Sequence, residues 1–151
     1  MRQTTRLVFA FLLAFGLLDV RGAKAPLSEE ELVRQAEVIV VGKVKGVRSK
    51  TQKSEIETGW GFHRDRAYTI TLEITEVLKG NGLKQGKELE VRAWQPIRRI
   101  PPLPGLQGHD FIPSRGDEIT CYLAKNSAGD FAPLLPNGLA RLGSSLEDAA
   151  R

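Results

Sequence analysis

Tyr68-Thr69-Ile70-Thr71-Leu72-Glu73-Ile74-Thr75 is the stretch on which the fold turns. Tyr68, Ile70, Leu72 and Ile74 share one side of an extended chain, and Thr69, Thr71, Glu73 and Thr75 share the other. That period of two marks a half-buried strand. Lys79-Gly80-Asn81-Gly82 supplies strong turn chemistry at its end. The same alternation recurs downstream. Leu89, Val91 and Ala93 alternate with Glu88, Glu90 and Arg92, and Ile119, Cys121 and Leu123 alternate with Glu118, Thr120 and Tyr122. Phe131–Ala132 and Leu139–Leu142 add two short strands, separated by turns.

Upstream, Val38–Val41 is a β-branched run with no polar break, which implies that both faces are covered, by the preceding helix on one side. Gly42 and Gly46 then mark bulges in a long, bent first strand. Ser28-Glu29-Glu30-Glu31 has the form of a capping box, with three acids at the positive end of the helix dipole. Leu32, Val33 and Ala36 give the apolar side of a helix over about 29–36. The fold class expected is all-β with one short N-terminal helix, as a small antiparallel barrel or sandwich of five to six strands.

Met1–Ala25 reads as a secretory signal peptide. Arg2 and Arg6 precede the apolar run Leu7–Leu18, and Ala23-Lys24-Ala25 follows as an A-x-A-like cleavage site, with a cut after Gly22 as the other choice. Twelve apolar residues are too few to cross about 30 Å of hydrocarbon, so no stable membrane span is expected after cleavage. The expectation is one exported domain over 26–143, periplasmic or extracellular, and a frayed polar tail over 144–151. Removal of residues 1–22 takes the net charge from +4 to +2, too little to select a polyanionic partner by bulk charge. Cys121 is the only cysteine. No intramolecular disulfide can form, and the strand pattern places the thiol on the core face; an intermolecular disulfide is the other use open to it.

Gln35-Ala36-Glu37-Val38-Ile39-Val40-Val41-Gly42-Lys43-Val44, a loop, and then Tyr68 through Lys79-Gly80 follow an A-D-h-V-h-x-G-x-V strand with a V-h-K-G strand end. Over about residues 35–80 the chain resembles the netrin-like, tissue-inhibitor-of-metalloproteinase-like domains, as in exported bacterial proteins that carry the same two strands. The resemblance implies an OB-like barrel. It implies no functional residue, because the inhibitors' N-terminal cysteine and disulfides have no counterpart here.

Two segments carry unusual chemistry. The first, about 49–66, holds Thr58-Gly59-Trp60-Gly61-Phe62-His63-Arg64-Asp65-Arg66; the second, about 94–115, holds Trp94, Arg98, Arg99, His109 and Asp110 among five of the eight prolines. Both are expected as long loops, the second stiff and extended with little hydrogen-bonded structure. Each serves either as a cover folded onto the barrel or as a recognition surface. In the second case Trp60, Phe62 and Trp94 are the anchors, and Arg98 and Arg99 steer acidic groups. The function expected is a non-catalytic exported binding module for a protein or envelope component. The alternative is a small-ligand or metal-binding protein that uses His63, Asp65, His109 and Asp110. Nucleophile-elbow, zincin, P-loop, C-x-x-C and dinucleotide motifs are all absent from the sequence, so no cofactor is expected, and a carboxylate or histidine site in the loops is the one catalytic option left. Lys43, Lys45, Arg48, Lys50 and Lys53 form a basic run beside two possible stacking tryptophans. Export and the usual solvation of such a strand face argue against a nucleic-acid partner.

Overall fold

The computed structural model describes residues 25–104 and 107–143. The expectations for the leader and for the tail over 144–151 lie outside the described residues, apart from Ala25. Helix α1 (Glu29–Gln35) opens the chain. Ser28 Oγ accepts the Glu31 N–H at 3.3 Å, and Glu31 Oε2 accepts the Ser28 N–H at 3.0 Å, closing the expected box. Six strands follow: β1 (Val38–Lys53), β2 (Phe62–Lys79), β3 (Glu88–Ile100), β4 (Glu118–Lys125), β5 (Phe131–Pro133) and β6 (Leu139–Arg141).

All pairings are antiparallel, in the order β3-β2-β1-β4-β5. Strand β6 pairs with β4 beside β5, so the two short strands share one edge. The sheet curls until β3 lies near β5, where Arg92 Nε stands 3.8 Å from Asp130 Oδ2. The all-β, single-helix, small barrel-like architecture expected from alternation is the one observed.

The core fills the inside of this curl. Ile70, Leu72 and Ile74 of β2 meet Val38, Val40 and Val44 of β1, Leu89, Val91 and Ala93 of β3, and Ile119, Cys121 and Leu123 of β4. Burial of each large aliphatic side chain contributes about 1.5–3 kcal/mol. Cys121 is wholly enclosed, and burial pushes its thiol up to about 12, so it stays protonated and inert. On the outside of β1, Ile39 packs with Leu32 of α1, with Ala36 at the helix C-cap and with Tyr122. Val38–Val41 is therefore unbroken because barrel and helix each take one face.

The two long loops are shorter than expected. Ser49–Lys53 continues β1, Phe62–Arg66 begins β2, and Trp94–Ile100 extends β3. The connections proper are 54–61 and 101–117. Pro96 enters a strand without disrupting it because β3 is an edge strand, and the register slips by one residue between Arg64 and Asp65, just where Pro96 pairs.

Candidate binding surface on the three-stranded arm

β1 pairs with β4 only over Val38–Lys43; beyond Val44, which bonds Gly116 and Asp117, it pairs with β2 alone. Together with the first ten residues of β2 and the end of β3, this half of β1 forms a three-stranded arm beyond the barrel. Its tip is the 54–61 turn. Trp60 is 90% exposed there, and Ile56, Phe62, Ile97 and Ile100 are exposed around it.

Phe62 pairs with Ile100, and Arg64 pairs with Arg98. Like charges directly across a ladder repel, and the Phe62 ring offsets this. The Arg64 and Arg98 guanidinium carbons stand 5.2 and 5.7 Å from its centroid, within cation–π range. Neither arginine has an acidic partner among the described residues. The tip thus presents aromatic and aliphatic surface with two cations beside it.

The opposite face of the arm holds the tip in place. His63 and Asp65 alternate with Phe62 and Arg64, so they project to the side opposite Ile70 and Leu72. There Asp65 accepts Arg99 Nη2 at 2.5 Å, with the two side chains only 5% and 8% exposed. Arg99 also donates from Nε to Gln107 Oε1 (3.0 Å), and from Nη1 to Arg64 O (2.9 Å) and Arg98 O (3.1 Å). Arg99 is a buried clasp between β2 and β3, and Arg98 is the one of the two adjacent arginines that faces solvent. His63 Nε2 lies 3.3 Å from Trp60 O, and its Nδ1 has no hydrogen-bond partner among the described residues. The turn is bonded within itself as well: Ser54 N–H to His63 O (3.0 Å), Glu57 N–H to Ser54 Oγ (2.9 Å) and Gly59 N–H to Glu57 Oε1 (3.1 Å). Gly61 has φ +134°, and a Cβ there would strike Ile100 O and His63. Trp60 is exposed on a braced turn, which is why it does not fold back as a plug.

Trp94 lies apart from this tip, opposite Ala67 on β3 and half-buried. Its main chain is occupied by His109. The His109 N–H donates to Trp94 O at 2.9 Å, and the Trp94 N–H donates to His109 Nδ1 at 3.1 Å. The acceptor role of Nδ1 assigns the proton to Nε2, which faces Pro133 O at 3.2 Å. His109 therefore ties β3 to β5 across the open side of the curl. Asp110 is exposed beside it, with a carboxyl raised by partial burial. His63 stands opposite Arg99 and His109 beside Trp94, five residues of β3 apart, roughly 16 Å. The structure does not bring His63, Asp65, His109 and Asp110 together, and among the described residues no group of three His, Cys, Asp or Glu could hold a metal ion.

Arg64, Ile56, Ile97 and Ile100 complete the tip; in the sequence Ile97 and Ile100 look like residues that pack under a cover, and the structure leaves both exposed. The signal for Arg64 was present in Phe62-His63-Arg64-Asp65-Arg66, which alternates with period two when read as a strand. No family model, curated protein or solved structure matches the chain.

The His109 tie makes stability depend on acid. Desolvation lowers its pKa, more than the carbonyl oxygens of Trp94 (3.1 Å from Nδ1) and Pro133, which favour the protonated ring, raise it. The unfolded chain, with an imidazole near 6.5, takes up a proton at mildly acidic pH that the native state resists. Stability is then complete above about pH 7 and falls as the pH drops through 6.5, by at most about 1.4 kcal/mol per pH unit. Asp110 contributes with the opposite sign. Urea unfolding at about pH 7.5 and 5.5 is expected to show a larger acid loss in the native sequence than in His109→Gln. Equal losses would refute the assignment.

Proposed function

We propose that the chain is an exported, non-catalytic module that binds a protein or another envelope component through the tip of the arm. The observation that carries this reading is Trp60, 90% exposed on a turn fixed by four hydrogen bonds or close polar contacts of its own neighbourhood. Free surface seldom keeps a tryptophan in the open, and a preformed anchor loses little entropy on binding. Phe62, Arg64 and Arg98 beside it match the aromatic and arginine composition of interface hot spots. The polar groups of the arm that resemble catalytic ones are engaged in holding it: Asp65 by Arg99, and His63 against Trp60. The leader supports export, and the netrin-like resemblance supports the architecture without naming a partner. Lys45 and Arg48 are paired with Glu73 and Glu90, which weakens any case for a nucleic-acid surface.

The test is a crosslinking pull-down from the producing cell's envelope and medium, comparing the native sequence with Trp60→Ala. Trp60 makes no side-chain hydrogen bond among the described residues, so the variant should fold normally. Capture of a specific partner is expected to fall roughly tenfold or more, as for a hot-spot tryptophan. Undiminished capture by Trp60→Ala would remove the tip from the site. Trp94→Ala is the control, since Trp94 lies outside the tip.

A further inference from the structure

We propose that the free edge of β1 over Val47–Lys53 receives an extended, acidic segment of a partner protein as an added strand. Ser54 donates its N–H to His63 O, so the main-chain groups of residue 54 face β2. In an antiparallel ladder alternate residues do the same, which directs those of Gln52 and Lys50 to β2 and those of Lys53, Thr51, Ser49 and Val47 away from it. No other strand lies on that side, because β4 leaves β1 at Lys43. The outward N–H and C=O groups of these four residues have no protein partner among the described residues. The other margin of the arm is different: β3 carries Pro96, a register slip, and the His109 bonds to Trp94.

The side chains along the free edge select the partner. Arg48, Lys50 and Lys53 flank it and no acid lies between Val47 and Lys53. Arg48 is paired with Glu90, whereas Lys50 and Lys53 have no acidic partner among the described residues. Two copies joined by this edge would bring these cations face to face, a standard device against self-pairing. An acidic segment meets the opposite situation: main-chain bonds supply affinity and the lysines supply charge complementarity. The edge runs directly into the Trp60 turn, so one partner can engage both. The inference rests on the arm as the recognition element but not on Trp60 itself.

The experiment uses the mature chain and a labelled peptide of about ten residues alternating Glu and Thr, followed by fluorescence anisotropy at about 0.15 M salt. The comparison peptide has the same sequence with every second amide N-methylated. It keeps the charge and cannot pair as a strand. Binding of the first peptide and a loss of roughly tenfold or more for the second are expected. Thr51→Pro removes an outward N–H without touching the β2 ladder, and it should produce a loss of similar size; so should Lys50→Glu with Lys53→Glu. Equal binding of both peptides would reduce the edge to unspecific charge attraction and overturn the proposal, as would no binding of the first. Lys84→Ala, an exposed cation in the turn between β2 and β3 and outside the arm, should leave this assay unchanged. A pull-down that depends on Trp60 together with a silent peptide assay would discard the added strand and keep the tip.

Discussion

Replacing Asp65 with alanine is expected to destabilise the protein by about 3–5 kcal/mol, the usual cost of removing one member of a buried ion pair. Arg99 lies in a site with side-chain exposure of 8% and cannot lose its charge. Without Asp65 it must stay buried on three neutral oxygens, from Gln107, Arg64 and Arg98, or swing out and open the contact between β2 and β3. Against a total of about 5–15 kcal/mol for an ordinary domain, either outcome is severe. The pair itself need not add so much. Desolvating two ions costs nearly what their attraction returns, so Asp65→Leu combined with Arg99→Met should cost far less than Asp65→Ala alone. Urea unfolding of the two single variants and the double variant tests this through the coupling energy. Additive losses would show that the pair is not coupled. The exposed Lys45–Glu73 and Arg48–Glu90 pairs provide the contrast: solvent screens them, and their removal should scarcely register.

The same clasp shows what the sequence makes legible and what it conceals. Where a strand has one dry face, alternation is written in hydrophobicity, and Ile70, Leu72 and Ile74, or Leu89, Val91 and Ala93, announce their side. The arm lacks that signal. Past Val47 of β1 and before Tyr68 of β2, few apolar residues face the core, and the strands persist because three of them pair with one another. Pairing is a property of segments far apart in the chain, so Ser49–Lys53 and Trp94–Ile100 look like loops when taken alone. His63 and Asp65 resemble ligands for the same reason: nothing local shows that Arg99 lies across the ladder. His109 resembles a titratable loop residue until Trp94 and Pro133 are seen on either side of it. Trp60 was legible because its signal is local, an aromatic between two glycines in a polar turn.

Gly42 and Gly46 each border one of the three register shifts between β1 and β2, yet alanine at these positions is expected to act in opposite directions. Gly42 pairs with Ile74 of β2 and with Ile119 of β4, where three strands pack around the core. A Cβ there would run into the fully buried Leu72 side chain and lie 2.7 Å from Glu73 O. Leu72 has no space to yield, and Glu73 O belongs to the backbone. Gly42→Ala should therefore cost about 2–3 kcal/mol, the upper part of the range for overpacking a core. At Gly46, where β1 enters the arm, a Cβ meets nothing within 4 Å, and the residue is not among the positive-φ glycines. Alanine fits the native conformation there and restricts the unfolded chain, for a gain of about 0.4–1 kcal/mol. Urea midpoints of the two variants should move apart on either side of the native value. If both fall, the bulge at Gly46 requires glycine for its backbone, and the arm's entry is strained rather than open. If they diverge, Gly46→Ala offers a stabilised arm, and its undiminished partner capture would show that recognition depends on a preformed surface and not on bending at that joint.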